Sequence, residues 1–161
     1  MKKVSVGIIG LGTVGLGVVE ILMRHKKAID SRIGAELVIT ALCDVARVKL
    51  PSALERVYLK NWQDVVGNPD IDLIVELIGG IEPAKRIITN SMRAGKNVVT
   101  ANKLVLAEHW DEVFLTAQKY KKLLYFEASV GGAIPVIQVI NEGLAANRIT
   151  EISGILNGTT N

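Results

Sequence analysis

A single cysteine, Cys43, among 161 residues rules out an intrachain disulfide, and no Cys/His spacing suits zinc. The two histidines, His25 and His109, are far apart and flanked by charge, which marks them as solvated helix residues rather than ligands. Aromatic residues make up only 4% of the chain, and its lysines and arginines form no stripe interleaved with them. The net charge of +3 is small and spread out, so a nucleic-acid partner is not implied. There is no internal repeat, low-complexity segment or long linker. Met1-Lys2-Lys3 before an apolar run imitates a secretory signal. However, the run from Val4 to Met23 contains Gly7, Gly10, Gly12, Gly15, Gly17 and Glu20, and no small-residue cleavage site follows it. It reads better as a buried strand and a packed helix than as a membrane segment. A reducing, cytoplasmic setting with no membrane partner fits.

What the chain has in quantity is apolar residues, 49% of the total, enough for one domain with a sizeable core. Its first stretch is the most informative. Val4 to Ile9 is apolar and β-prone, Gly10, Gly12 and Gly15 follow as G-x-G-x-x-G, and a helix-like run extends from Val14 to Met23. In such a turn Gly10 permits the reversal out of the strand, Gly12 lets a pyrophosphate approach the backbone, and Gly15 lets the helix lie close on the strand. The helix N-terminus offers free N–H groups and a positive dipole end to the phosphates.

A second strand, Leu37–Cys43, ends at Asp44. A carboxylate there is the group that hydrogen-bonds an adenosine ribose; a turn-capping loop aspartate is the alternative. Asp44 comes later than the roughly 20 residues of the usual fingerprint, which a polar insertion over 27–35 explains. Asp44 favours NAD, whereas Arg47 and Lys49 just beyond it favour the 2′-phosphate of NADP. Further strands are expected at 57–59, 71–78, 97–99 and 123–126. Helices are expected at 62–66, from Pro83 to Gly95, at 110–121 and at 136–144, with one more strand at 149–156. Gly79-Gly80 after the fourth strand lets backbone pass close to a cofactor. Lys103 stands after the fifth, where a lysine can donate to the reacting oxygen of a small alcohol or carbonyl; a plain surface lysine is the alternative. Strand and helix alternate with short connections, which calls for an α/β, doubly wound, mostly parallel sheet in three layers, the Rossmann-type dinucleotide-binding fold.

Three further stretches carry a resemblance: 98–103 (VVTANK), 127–135 (EASVGGAIP) and 154–161 (GILNGTTN). Together with the glycine loop, over the whole of 1–161, the chain resembles homoserine dehydrogenase. The resemblance implies reversible hydride transfer between homoserine and aspartate 4-semialdehyde with NAD or NADP, on the route to threonine, methionine and isoleucine. It implies that Gly12, Thr13, Val14 and Gly15 hold the cofactor phosphates, and that Thr100 and Lys103 lie near the nicotinamide, with Lys103 catalytic. It also implies a monovalent cation such as sodium at Glu127, Val130, Gly132 and Ile134, and substrate contacts from Gly154, Asn157 and Thr159.

In this family a substrate and dimerisation domain follows, carrying an acidic residue and a second lysine needed for chemistry. Residues 1–148 would then be the cofactor domain and 149–161 the start of the next. The piece would bind nucleotide with little or no turnover, and the full-length enzyme would be a homo-oligomer. Two other readings bear on function. A semialdehyde or glyceraldehyde-phosphate type dehydrogenase needs a cysteine nucleophile after the sheet, and Cys43 lies within the second strand. A stand-alone redox-sensing module that binds NAD(H) is the second.

Overall fold

The computed structural model describes residues 1–154. The apolar, β-branched runs form one sheet of strands β1 Lys2–Ile9, β2 Ala35–Cys43, β3 Tyr58–Leu59, β4 Leu73–Glu76, β5 Asn97–Thr100 and β6 Leu124–Tyr125. They lie in the order β3-β2-β1-β4-β5-β6, and every pair is parallel. The helices are α1 Thr13–Arg24, α2 Lys26–Ile33, α3 Ser52–Glu55, α4 Trp62–Gly67, α5 Ala84–Arg93, α6 Lys103–Tyr120 and α7 Val136–Gln138. The last continues into a π-helical turn, Val139–Gly143, and a 3₁₀ turn, Glu127–Ser129, follows β6. This is the Rossmann-type arrangement.

Alternation along the strands sends side chains into two core layers. Ile9, Ala41, Cys43 and Ile74 pack on one face with Val65 and Val66 of α4 and Ile87 of α5. Val98 extends that layer under α5 and α6, with Ile88, Met92, Val105 and Val113. Val6, Ile8, Leu42 and Val75 point the other way, against Leu11, Val19 of α1 and Leu50. The chain reverses direction across the sheet between β1 and β4, and ligands of such folds bind beyond the carboxyl ends of the strands at that point.

Two expectations need correction and one is extended. The polar stretch over 27–35 is not an open insertion: most of it is helix α2, closed by Gly34 in the left-handed region at φ 67°. Lys26 pairs with Asp30 one turn on at 2.7 Å, Asp30 accepts the Leu37 N–H, and Lys26 donates to the Leu37 carbonyl. These ties lash a weakly apolar helix to β2. The helix expected at 110–121 is the second part of α6; a helical segment that starts at Lys103, where Asn102 caps it by accepting the Val105 N–H at 3.1 Å, precedes it. The backbone of α6 departs from helical geometry at His109. The strand expected at 149–156 does not form over its described part: residues 149–154 are irregular and exposed and pair with no strand among the described residues, and the rest of that segment lies outside them.

Candidate functional site

The turn from β1 into α1 is built from backbone. Gly10 adopts φ 98° and donates to the Cys43 carbonyl at 2.8 Å, closing β1 against β2. A Cβ on Gly15 would lie 1.9 Å from the Gly10 carbonyl oxygen, so only glycine allows α1 to start this close to the strand. A Cβ on Gly12 would meet nothing within 4 Å. Gly12 is the N-cap residue of α1 and no side chain caps it, so the N–H groups that open the first turn, from Thr13 onward, have no side-chain partner there.

Two clefts open on either side of Gly79. The first, of about 440 Å³, is walled by Gly10, Gly12, Asp44, Lys60, Trp62 and Gly79, among others. The second, of about 350 Å³, is walled by Val14, Gly79, Gly80, Ala101, Asn102 and Lys103, among others. They share Leu77, Ile78 and Gly79, so one groove runs from the end of β2, past the start of α1, to the start of α6. Such a groove suits an elongated ligand with an anionic centre.

The expected residues divide within this frame. Gly10, Gly12, Asp44, Gly79, Val14 and Lys103 line the groove, and Thr13 and Gly15 lie in the first turn of α1 beside it. Asp44 already has hydrogen bonds: its carboxylate accepts the Leu11 N–H at 2.6 Å and the Ala46 N–H at 2.9 Å. It thereby holds the glycine loop in place, and each oxygen keeps a lone pair for a ribose hydroxyl. Arg47 lies elsewhere, paired with Glu55 and 4.5 Å above the Tyr58 ring. Thr100 is fully buried beneath the groove.

Glu127 accepts the Ile137 and Gln138 N–H groups at 2.9 and 3.0 Å and so caps α7. Val130 and Gly132 follow in the same loop, and among the described residues no donor reaches their carbonyls, whereas that of Ile134 accepts the Val136 N–H. Gly154 is exposed at the end of the described residues, and Asn157 and Thr159 lie outside them. Cys43 is buried, and burial, aided by the Asp44 charge, pushes its thiol up to about 11, which removes it as a nucleophile.

Sequence reasoning missed Glu76, Asn102, Lys60 and Trp62. The signal for Glu76 was a carboxylate inside the apolar run Leu73–Ile78. Its side chain is fully buried, accepting the Thr100 hydroxyl at 2.6 Å and the Ile78 N–H at 2.7 Å. Burial holds it above the ordinary carboxylate range, against the pull of its hydrogen bonds from Thr100 and Ile78. A carboxyl that binds its proton more tightly folded than unfolded gives stability that is full at low pH and is lost as pH rises through the folded value. Wild-type stability should therefore fall over that range, and Glu76→Gln should remove the slope; urea unfolding at a series of pH values measures both.

The relatives belong to one family. The family model for "Homoserine dehydrogenase, NAD binding domain" matches residues 10–127, and the model for "Homoserine dehydrogenase" matches 135–161. The homoserine dehydrogenase of Neisseria gonorrhoeae is 44% identical over all of this chain and 37% of its own length. That of Bacillus subtilis is 39% identical over all of this chain and 38% of its own. The crystal structure of a homoserine dehydrogenase from Thiobacillus denitrificans superposes with a TM-score of 0.82 at 40% identity, covering 92% of this chain and 35% of the other. The Staphylococcus aureus enzyme gives 0.74 at 31% identity, covering 82% and 34%. The chain thus spans a little over a third of the length of the curated relatives it matches. It belongs to the homoserine dehydrogenase family, of which it carries the NAD-binding domain.

Proposed function

We propose that this chain forms the cofactor half of an enzyme that transfers hydride reversibly between homoserine and aspartate 4-semialdehyde. The observation that carries the reading is the unbroken groove from Asp44, past the uncapped start of α1, to Lys103. The nicotinamide, when bound, accepts or returns the hydride. First-turn N–H groups of α1 hold the diphosphate, Asp44 takes a ribose hydroxyl, and Gly79 and Gly80 leave room for the cofactor to cross. Lys103 hydrogen-bonds the reacting oxygen of the substrate and moves its proton. Relatives named for an enzyme favour this over a stand-alone redox sensor.

The domain boundary is put near residue 148, a few residues beyond the last regular turn, which ends at Gly143, and before the exposed Ile149 and Ile152 of the segment that leads into the substrate and dimerisation domain. The full-length enzyme is a homo-oligomer whose substrate contacts include Gly154, Asn157 and Thr159. Its setting is the cytoplasm, which suits a buried free cysteine; no helix among the described residues is long and apolar enough to cross a membrane.

A sodium ion suits the loop after β6. The free carbonyls of Val130 and Gly132 are hard oxygen donors, and the Glu127 carboxylate and Ile134 carbonyl keep lone pairs beyond their hydrogen bonds. The ion would pin this loop against α7. Calorimetric titration with NAD, NADP and their reduced forms, beside a homoserine assay, tests the main reading: tight binding with little or no turnover by residues 1–161 is expected. Failure to bind any of the four would refute it.

Cofactor preference turns on Lys60 rather than Arg47. Lys60 and Asp44 wall the same cleft, while Arg47 is committed to Glu55 and Tyr58. Lys60→Ala should weaken NADP about 10-fold more than NAD, a difference of about 1.4 kcal/mol. Arg47→Ala should change both alike. A selective loss of NADP in Arg47→Ala would reverse the assignment.

A further inference from the structure

Glu76 ends β4, opposite Ile9 of β1 and Thr100 of β5, so its carboxyl lies directly under the point where the two clefts meet. The strand is otherwise Leu73, Ile74 and Val75, and its side chain faces the apolar layer of α5. Burying a carboxyl there costs several kcal/mol that an apolar residue of similar volume would not. Stability therefore does not explain the residue.

Among the described residues Glu76 has no cationic partner. β5 holds no titratable group, and those of β1, Lys2 and Lys3, are at its far end. Asp64 of α4 is exposed and accepts from the Asn61 amide. On α5, Lys85 pairs with Glu82 and Glu112, Arg86 lies over the Trp62 ring, and Arg93 donates to Asn90. Lys103 of α6 is exposed on the groove wall.

What surrounds the carboxyl instead is a directed chain of hydrogen bonds. The Thr100 hydroxyl has one proton. It accepts the Asn102 N–H at 3.0 Å, so that proton goes to Glu76. The Asn102 amide gives one proton to the Ile78 carbonyl at 2.8 Å and the other to the Gly80 carbonyl at 2.7 Å, while its oxygen caps α6. Ser129 donates to the Thr100 carbonyl at 3.0 Å and joins the loop after β6 to the same cluster. An ionised Glu76 satisfies every donor aimed at it. A protonated one, or a glutamine, sets a donor against a donor, at the Thr100 hydroxyl or at the Ile78 N–H. Of the groups so tied, Gly80, Asn102 and through it Lys103 wall the second cleft alone, and Ile78 stands on the border of the two; Asp44, Lys60 and Trp62 of the first cleft take no part.

We propose that Glu76 is a positioning residue for the nicotinamide half of the cofactor: through Thr100 and Asn102 its carboxylate sets the place of the Gly79-Gly80 loop and of Lys103. This rests on the dinucleotide reading of the groove. The diphosphate and adenosine half is indifferent to it.

Calorimetric titration separates the two halves. The chain is titrated with NAD and NADP, and with ADP-ribose and its 2′-phosphate, which lack the nicotinamide. Glu76→Gln should weaken the full dinucleotides about 10-fold while the nicotinamide-free probes stay within about twofold. Thr100→Val should do the same, and Thr100→Ser should restore wild-type values. In the wild type the ratio of the two affinities should fall as pH drops through the range in which Glu76 takes up its proton, and in Glu76→Gln it should be flat. If Glu76→Gln does not fold, the Thr100 pair and the wild-type pH series decide the matter. Equal losses for both kinds of probe, or no loss for either, would overturn the proposal. A wild type that binds none of the four probes overturns the dinucleotide reading and this proposal with it.

Discussion

Gly12→Val is expected to abolish dinucleotide binding, by at least about 100-fold or about 2.7 kcal/mol, and to leave the melting temperature unchanged. The folded protein accommodates the side chain: a Cβ at Gly12 meets nothing within 4 Å, and its φ of −69° is open to any residue. The valine methyl groups would stand over the first-turn N–H groups of α1, where the diphosphate must approach. Gly15→Ala should do the reverse. Its Cβ would be 1.9 Å from the Gly10 carbonyl oxygen, and that backbone atom can withdraw only by moving α1 off β1. Overpacking of this kind costs about 1–3 kcal/mol or more, read as an earlier thermal transition. One glycine thus serves the ligand and the other the fold, and titration beside thermal unfolding distinguishes them. Wild-type affinity in Gly12→Val would place the phosphates elsewhere.

The second large effect is on turnover. Lys103→Met, in a chain of the relatives' full length, is expected to lower kcat by about 10²–10⁴-fold and to change cofactor affinity by less than about threefold. Lys103 is the first residue of α6, beside the positive end of the helix dipole, where a cation is disfavoured by about 0.3–1 kcal/mol. An exposed lysine set against its own helix, on the wall of a ligand groove, breaks a local rule for which the fold offers no compensation. The methionine variant should therefore be as stable as the wild type or slightly more so. Loss of cofactor affinity in step with kcat would make Lys103 a binding residue rather than a proton-moving one.

The site was legible where it is made of backbone. The β1–loop–α1 turn needs glycines at fixed spacing, and that pattern shows directly in residues 10–15. Asp44 was legible as the end of β2; it clamps the loop through Leu11, closes its own turn at Ala46 and lines the cleft. What was hidden depends on partners distant in sequence. Helix α2 has little apolar character of its own and forms because Lys26 and Asp30 grip Leu37. Arg47 has the right charge and position for a phosphate, yet Tyr58 and Glu55 draw it aside. Glu76 was visible as a charge in an apolar strand, but its meaning required Thr100 and Asn102, which only the sheet register brings beside it. The irregular course of residues 149–154 shows the limit of periodicity: an isoleucine-rich run becomes a strand only where another strand is free to pair with it.

The most direct test is a crystal structure of the chain soaked with NAD or NADP. The diphosphate should sit on the N–H groups that open α1 over Gly12, with the adenosine between Asp44 and Lys60 and the nicotinamide beside Gly80 and Lys103. A dinucleotide bound away from that groove, or the groove closed by side chains with no nucleotide in it, would contradict the assignment.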